Sequence, residues 1–456
     1  MTPAARLAAG IDLLAAIAAD PRPADALANA FFRARRYIGA ADRRAVSEAA
    51  WAALRATRRL TWWLERAGGP PTPRLRLAAF ELFRPGGSLA ALERNFSGGQ
   101  FAPAALDPAE RAVLARLAGH TFLHPAMGQA VRLELPDWLL PRLAQRFGPA
   151  LEGEAAALLA PAPLDLRVNR LKATREDVQA ALAAEGIEAV PTPLSPWGLR
   201  VAGRRNVTAG AAFRTGLVEI QDEGSQLVAL LADARPGASV LDFCAGAGGK
   251  TLALAMTMDN RGRLVACDVS APRLDGAIRR LRRAGVHNVE RHLLVAGDKW
   301  AKRRRGAFDR VLVDAPCTGT GTWRRNPDAR TRLTEQDLTE LVARQAAILD
   351  QAAPLVRSGG KLIYATCSLL IEENEAQVMQ FLDRSPEFVV APTARGMELL
   401  PTARGMELLP TARGMDLPTA RGMDVPGLPA GEGRFLALTP ARHGTDGFFA
   451  AVLERR

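Results

Sequence analysis

The stretch Ser239–Thr251 reads SVLDFCAGAGGKT, and it decides how the rest of the chain is interpreted. A short apolar run, Val240 and Leu241, is closed by Asp242, and a turn of small residues follows before TLALAMTM begins a helix. This strand, turn and helix form the opening unit of an α/β sheet. Glycines let backbone N–H groups approach a ligand closely, and the helix N-terminus adds the positive end of its dipole.

Three classes of ligand compete for such a turn, and residue spacing separates them. A phosphate-binding P-loop requires G-x-x-x-x-G-K-[ST], but its first glycine would fall on Cys244. A dinucleotide fingerprint requires G-x-G-x-x-G, but its third glycine would fall on Thr251. An S-adenosylmethionine site has an acidic residue after the second strand, which LVACDVS supplies as Asp268 to accept ribose hydroxyls. Glycine turns also occur where no ligand binds, so the turn alone does not decide whether this chain binds a ligand here.

The charge balance indicates the kind of partner. The chain has 456 residues, enough for roughly three domains, with a net charge of +12 carried mainly by arginine. Arginines on solvated faces explain this balance without a partner, whereas clustered guanidinium groups suit phosphate oxygens. Basic residues cluster at positions 279–283, 302–305 and 324–325, beside the later motifs. This clustering favours a nucleic acid as partner.

Cysteine usage bears on compartment and metal content. The four cysteines are Cys244, Cys267, Cys317 and Cys367, without a C-x-x-C pair, and the five histidines are scattered. We therefore expect no metal site. No signal peptide or long apolar span is present, so we expect a cytoplasmic protein without membrane association.

The chain pattern predicts three domains. Residues 1–130 show apolar and basic positions at helical spacing, which predicts an all-α bundle, either a scaffold or an RNA-docking module. Residues 131–235 contain LDLRVNRLKATREDVQAALAAEGIEAV, a strand–loop–helix–strand pattern for a small α/β domain that could hold substrate. Residues 236–456 alternate strands and helices, which predicts a mostly parallel, doubly wound sheet with ligands at the carboxyl ends of its strands.

Later motifs of the third domain fall at such strand ends. We expect HLLVAGD to end a strand at Asp298, whose side chain could reach an adenine ring. DRVLVDAPC ends a strand near Asp314 and Cys317, and KLIYATCS carries Cys367 at its end. Residues 392–425 repeat PTARGMELL and close variants four times; such short units indicate a duplicated insert rather than a solenoid.

The two strand-end cysteines carry the candidate chemistry. A buried cysteine is usually inert packing, the interpretation we prefer for Cys244 and Cys267. Cys317 and Cys367 lie where a strand gives way to a polar turn, so their thiols can face the cleft above the sheet. Positive charge from Lys250 and aligned backbone N–H groups would lower a thiol pKa from about 8.5 toward neutrality.

Five segments together resemble a known family. CAGAGGKT, ACDVSAPRL, VLVDAPCTGTG, YATCS followed by EENE, and HGTDGFF are similar to the Sun (Fmu) family of RNA cytosine-C5 methyltransferases, and within it to the bacterial RsmB type that modifies small-subunit ribosomal RNA. The stretch GAADRRAVSEAAWAALR resembles the NusB-like RNA-binding domain of that type. The family commonly has proline where this chain has Ala247, which should alter the stiffness of the turn more than its chemistry.

The resemblance implies a Rossmann-like S-adenosylmethionine-dependent methyltransferase domain and residue roles. Cys367 would attack C6 of cytosine so that C5 can accept the methyl group, and Cys317 would assist product release. Asp314 would interact with N3 of the base, while Lys250 would orient the base or the cofactor. The implied cofactor-binding residues are Cys244, Ala245, Gly246, Ala247, Gly248, Gly249, Lys250, Asp268, Arg273, Asp298 and Asp314. RNA, most directly 16S ribosomal RNA, would be the partner of a monomer.

Several alternatives remain open. DNA cytosine-C5 methyltransferases use the cysteine of the PC motif, in which case Cys317 would attack and Cys367 would be packing. The RNA substrate could be transfer RNA or another RNA. A P-loop ATPase is a rival because VLVD, ending at Asp314, mimics a Walker B strand. A catalytically silent RNA-binding protein is the other rival.

Overall fold

The computed structural model describes residues 1–203, 205–295, 297–391 and 435–456. The repeat at 392–425 lies outside the described residues. Two compact units are present. The helical unit comprises Met1–Ala160 with Trp323–Thr334, and the sheet unit comprises Pro161–Thr322 with Glu335–Arg456. These limits differ from the expected division into 1–130, 131–235 and 236–456, which stays a prediction.

The helical unit confirms the all-α pattern of the N-terminal region. Local signals start its helices: the Thr2 hydroxyl caps the first, and Asp107 and Glu110 form a capping box on the seventh. Apolar stripes bury a shared core that includes Leu13 and Leu60. Helical structure continues past residue 130 to Leu159. The helices are α1 (Pro3–Ala19), α2 (Ala24–Ala34), α3 (Ala40–Arg55), α4 (Thr57–Arg66), α5 (Pro73–Phe83), α6 (Leu89–Asn95), α7 (Pro108–Leu117), α8 (Gln129–Arg132), α9 (Leu140–Phe147) and α10 (Leu151–Leu159).

The sheet unit begins with a small α/β domain. Its four strands pair in the order β2-β3-β1-β4, and every pairing is antiparallel. Leu166 of the central strand lies opposite Leu199, and both are fully buried against the helix that follows. The elements are β1 (Leu164–Val168), α11 (Arg175–Ala184), β2 (Ala189–Pro191), β3 (Gly198–Val201), α12 (Ala211–Arg214) and β4 (Val218–Ile220).

Within the described residues, a larger sheet of eight strands forms the rest of this unit. Its order is β10-β12-β9-β8-β5-β6-β7, with β11 paired to β12. The strands from β5 to β9 pair in parallel, whereas β10, β11 and β12 are antiparallel additions. The elements are α13 (Glu223–Leu231), β5 (Ser239–Asp242), α14 (Gly249–Thr257), β6 (Arg263–Asp268), α15 (Ala271–Ala284), β7 (Val289–Leu293), β8 (Phe308–Asp314), α16 (Pro327–Arg332, in the helical unit), α17 (Glu335–Ala352), β9 (Val356–Thr366), α18 (Glu375–Arg384), β10 (Phe388–Val390), β11 (Phe435–Leu438), a short helix (Pro440–His443) and β12 (Phe448–Arg455).

The topology fixes where a ligand can lie. The chain runs outward from β5 through β6 to β7 and then returns to β8 on the other side of β5. In parallel sheets the carboxyl ends of strands flanking such a reversal border a crevice. The doubly wound, Rossmann-like fold class predicted from the sequence is therefore confirmed. No helix among the described residues is long and apolar enough to cross a membrane.

Candidate active site

The glycine turn between β5 and α14 adopts a conformation that depends on glycine at two positions. Gly246 and Gly248 have φ of 54° and 81°, in the left-handed region that side chains with a Cβ rarely adopt. A Cβ built on Gly246 would meet nothing within 4 Å, so this face of the turn is open. Gly248 is the N-cap of α14, whose first turn therefore begins at the crevice.

Asp268, at the end of β6, holds this turn. One carboxylate oxygen accepts the Gly246 N–H at 2.8 Å, and the other accepts the Ser270 N–H at 2.8 Å. Its exposed fraction is only 7%. Each oxygen has a second lone pair, so the carboxylate can still accept ligand hydroxyls while it orders the turn.

Asp242, at the end of β5, is fully buried beneath the same turn. Its Oδ2 accepts the Thr251 hydroxyl at 2.7 Å, while its Oδ1 has no hydrogen-bond partner among the residues that the structure describes. Burial raises the pKa of Asp242 to about 7, although the Thr251 hydrogen bond opposes the shift. Through its hydrogen bond with Thr251, the buried Asp242 carboxyl stabilises the glycine turn from the core side.

Lys250 and Asp314 form an ion pair across the crevice. Lys250 Nζ lies 2.7 Å from Asp314 Oδ2, and the ammonium lies 5.4 Å from the centroid of the Phe448 ring. Burial alone would lower the pKa of Lys250, but the adjacent Asp314 raises it above its ordinary value. The lysine therefore stays charged, and its partner is a strand-end carboxylate.

Cys317 and Cys367 approach each other at the ends of β8 and β9. Their Sγ atoms lie 3.4 Å apart, both residues are half-buried, and both thiols are free. The hydrogen bond with Cys367 and burial raise the pKa of Cys317 well above its ordinary value. The expectation of a lowered pKa is therefore wrong for Cys317, because it gains a sulfur partner and loses water.

Cys367 lies beside the same charges. Its thiolate would be close enough to Lys250 to contribute to the raised pKa of that ammonium. The residue packs partly against the sheet core yet keeps an exposed surface. The structure thus brings together Cys367, Cys317, Lys250 and Asp314, four residues from three separate motifs.

Other expected site residues are placed differently. The strand expected to end at Asp298 ends at Leu293, and Asp298 lies in the loop that follows. There it accepts the Trp300 N–H at 2.7 Å and lies 2.6 Å from His292 Nε2; these contacts lower its pKa. Arg273 is exposed on the first turn of α15.

The remaining two cysteines behave as packing residues. Burial raises the pKa of Cys244 well above its ordinary value, and Cys267 is fully buried in the sheet core with a raised pKa of the same cause. Both observations agree with the inert interpretation of these two thiols, although Cys244 still borders the turn.

Several arginines expected to face nucleic acid have internal partners. Arg280 donates to the Ala247 carbonyl at 2.7 Å, and Arg283 pairs with Glu219 at 2.6 Å. Arg324 is 5% exposed and lies in the helical unit. One arginine of the basic clusters therefore orders the glycine turn, whereas Arg279, Arg282, Lys302, Arg303 and Arg305 remain exposed.

Sequence reasoning missed two groups of residues around the site. Val269, directly after Asp268, exposes 79% of its surface, and Val295, two residues after β7, exposes 58%; each is an exposed apolar side chain against which a flat ring could pack. Glu373 and Asn374 of the EENE segment are fully buried and bind the residues next to the two cysteines. Their only sequence signal was the motif itself, to which no role could be attached.

The arrangement first defines a class of protein. A Rossmann-like sheet with an open glycine turn, an acidic residue at the next strand end and two thiols across the crevice is that of a methyltransferase domain. The model of the 16S rRNA methyltransferase RsmB/F family matches residues 229–454, and that of the RsmF/B-like ferredoxin-like domain matches residues 135–208. The chain belongs to this family, the Sun/RsmB family expected from its motifs.

Individual relatives agree with the assignment. Ribosomal RNA small subunit methyltransferase B of Photorhabdus laumondii is 34% identical over 263 residues, covering 57% of this chain and 60% of that protein. The chain thus spans about three fifths of the length of the curated relatives it matches. The crystal structure of PH0851 has a TM-score of 0.77 at 26% identity and covers 100% of this chain and 99% of its own. A methyltransferase homolog from Pyrococcus horikoshii has a TM-score of 0.58 at 29% identity, covering 73% of this chain and 100% of its own.

Proposed function

We propose that this chain transfers a methyl group from S-adenosylmethionine to C5 of a cytosine in RNA, with small-subunit 16S ribosomal RNA as the substrate. The observation that carries the proposal is the pair of free thiols 3.4 Å apart beside the Lys250–Asp314 ion pair. C5 of cytosine is a poor nucleophile until a thiolate adds at C6, so this chemistry requires a sulfur in the crevice. Family membership supports the same reaction.

The residues around the turn fit S-adenosylmethionine. The open face at Gly246 admits a backbone-bound ligand, Asp268 retains lone pairs for ribose hydroxyls, and Val269 offers apolar surface for the adenine. When bound, this cofactor supplies an electrophilic methyl group on a sulfonium. The other proposed cofactor-binding residues remain those of the turn together with Arg273, Asp298 and Asp314.

We assign the following roles to the chain's own groups, and their positions are compatible with these roles. Cys367 adds to C6, its thiol proton passes by way of Asp314 to N3 as negative charge develops there, and Asp314 then accepts the hydrogen bond of the N3–H group. Cys317, with its raised pKa, stays a neutral thiol and assists departure of Cys367. The base has to leave its stack to reach this crevice, which suits a loop or a flipped nucleotide. We place the protein in the cytoplasm as a monomer, with its N-terminal helices docking RNA.

The test uses the purified chain, S-adenosylmethionine with a labelled methyl group, and either small-subunit ribosomal RNA or transfer RNA. Label in ribosomal RNA that bisulfite sequencing maps to one cytosine supports the proposal. Label found only in transfer RNA would show that transfer RNA, and not ribosomal RNA, is the substrate. ATP binding without methyl transfer would favour the P-loop alternative, and RNA binding without transfer would indicate a silent protein.

A further inference from the structure

Two consecutive buried residues hold the neighbours of the two site cysteines. Glu373 accepts the Thr318 N–H at 2.9 Å and the Thr318 hydroxyl at 2.5 Å, directly after Cys317. Asn374 accepts the Thr366 hydroxyl at 2.5 Å and donates to the Ser368 carbonyl at 2.9 Å. Thr366 and Ser368 flank Cys367. Glu373 therefore holds the segment of Cys317, and Asn374 holds the segment of Cys367.

The same cluster joins the two cysteine segments directly. The Ser368 hydroxyl lies 3.2 Å from that of Thr318 and 3.3 Å from that of Thr320. Gln345 of α17 donates to Glu373 Oε1 at 2.9 Å and to the Pro316 carbonyl at 2.9 Å. A buried carboxylate is costly unless its acceptor positions are filled, and here three donors fill them. The separation of the thiols is therefore fixed by groups outside the crevice.

Glu373 also acts on Cys317 through its charge. The hydrogen bond to Cys367 and burial are the main causes of the raised pKa of Cys317, and the charge of Glu373 raises that pKa further. No corresponding charge comes from Asn374, which is neutral. The two residues thus combine similar geometry with different electrostatics.

We propose that Glu373 and Asn374 are positioning residues with separable tasks: Glu373 keeps Cys317 placed and neutral for product release, and Asn374 places Cys367 for attack. This inference rests on the proposed function. In release, the C5–H bond breaks and its proton passes to water, while its electron pair forms the C5=C6 bond. The C6–S bond breaks with its pair on the Cys367 sulfur, which the Cys317 S–H stabilises by a hydrogen bond.

The experiment compares Glu373→Gln with Asn374→Ala in full-length protein. Single-turnover assays with RNA and S-adenosylmethionine measure covalent adduct formation and methylated-product release separately. We expect Glu373→Gln to form adduct at the wild-type rate and to release product about tenfold to a hundredfold more slowly. Asn374→Ala should slow adduct formation by about tenfold and leave release unchanged.

A pH profile distinguishes positioning with charge from mere structural support. Removal of the Glu373 charge should lower the pKa of Cys317, so the alkaline loss of release should begin at lower pH in Glu373→Gln. Thr318→Val keeps that charge and removes the hydroxyl that contacts Glu373 and Ser368, so it should slow release without moving the pH profile. It also tests the Glu373 task if Glu373→Gln fails to fold.

Asp383→Asn is the matched control, because it makes the same kind of change at an exposed position of α18. It should leave both steps at wild-type rates. Equal slowing of both steps in both variants, or an unmoved pH profile in Glu373→Gln, would overturn the inference. If the wild-type protein neither methylates RNA nor forms an adduct, the proposed function itself fails.

Discussion

The glycine turn and the cysteine pair lie at carboxyl ends of the same sheet, yet they are built in different ways. The turn is formed by residues of one motif, and Asp268 on the neighbouring strand completes it through the Gly246 N–H. The cysteine pair joins Cys317 and Cys367, which are 50 residues apart, and its support comes from Glu373 and its partners. A backbone cradle is encoded locally, whereas thiol geometry depends on tertiary contacts.

This difference implies different responses to substitution. Substitutions at the turn should weaken the binding of S-adenosylmethionine by moderate amounts, because several backbone groups contribute to it. The cysteine site should fail in distinct chemical steps, because each thiol is proposed to serve a different one. Substitutions at the two regions can therefore confirm or contradict this expected difference between graded loss of affinity and loss of single chemical steps.

The largest effect is expected at Cys367. Cys367→Ala removes the sulfur that would add to C6, so methyl transfer should fall by at least about 10³-fold and no covalent RNA adduct should form. A filter-binding assay for labelled methyl groups and a denaturing gel for adduct measure the two outcomes. Cys267→Ala is the matched control, since that thiol is fully buried in the core, and it should keep both activities.

The next effect is expected at Cys317 and has a different character. Cys317→Ala should slow turnover strongly while the covalent RNA adduct accumulates, because release of Cys367 loses its neutral hydrogen-bond donor. The same denaturing gel detects the adduct as a retarded band. An adduct in Cys367→Ala and none in Cys317→Ala would reverse the roles of the two cysteines.

A graded effect is expected at the turn. Asp268→Asn removes a charged acceptor from the Gly246 and Ser270 N–H groups, so S-adenosylmethionine should bind about tenfold to a hundredfold more weakly. Isothermal titration calorimetry measures the affinity. Asp275→Asn, at a side chain 73% exposed on α15, is the control and should bind normally. Unchanged affinity in Asp268→Asn would remove the turn from the cofactor site.

The smallest effect on activity is expected at Asp242, where stability should depend on pH. Burial raises its pKa from 3.8 to about 7, so near pH 5 the folded protein holds a proton that the unfolded chain releases. The stability from this proton is complete below about pH 4 and is lost as pH rises through about 7, a change of up to about 4 kcal/mol.

Asp242→Asn should remove that dependence, because the amide is neutral at every pH and its oxygen can still accept the Thr251 hydroxyl. The thermal unfolding midpoint is measured at pH 5 and at pH 8. Its decrease between these two pH values should be smaller in this variant than in the wild type. Equal falls in the two proteins would show that the carboxyl is ionised throughout this range.

The sequence predicted the features that local patterns encode. Strand and helix periodicity predicted the doubly wound sheet and the helical N-terminal region, and the residue at position 244, a cysteine instead of glycine, argued against a P-loop. Placement of motifs at strand ends also predicted that Cys317 and Cys367 would lie on one edge of the sheet. Parallel strands bring such ends together without any knowledge of side-chain contacts.

Features that depend on folding were not predicted. Glu373 lies 55 residues from Thr318 and 28 residues from Gln345 in the sequence. Local sequence patterns therefore could not predict the hydrogen bonds between them. The raised pKa of Cys317 likewise arises from burial and a sulfur partner brought in by folding. Asp298 was misplaced because an apolar run continued in sequence after the strand had ended at Leu293.

The most direct measurement is mass spectrometry of the covalent complex that Cys317→Ala forms with RNA and S-adenosylmethionine. After nuclease and protease digestion, the expected result is one peptide containing Cys367 with a methylated cytidine nucleotide attached to its sulfur. A nucleotide on any other residue, or the absence of a covalent complex from a variant that folds and binds the cofactor, would contradict the proposed attack by Cys367.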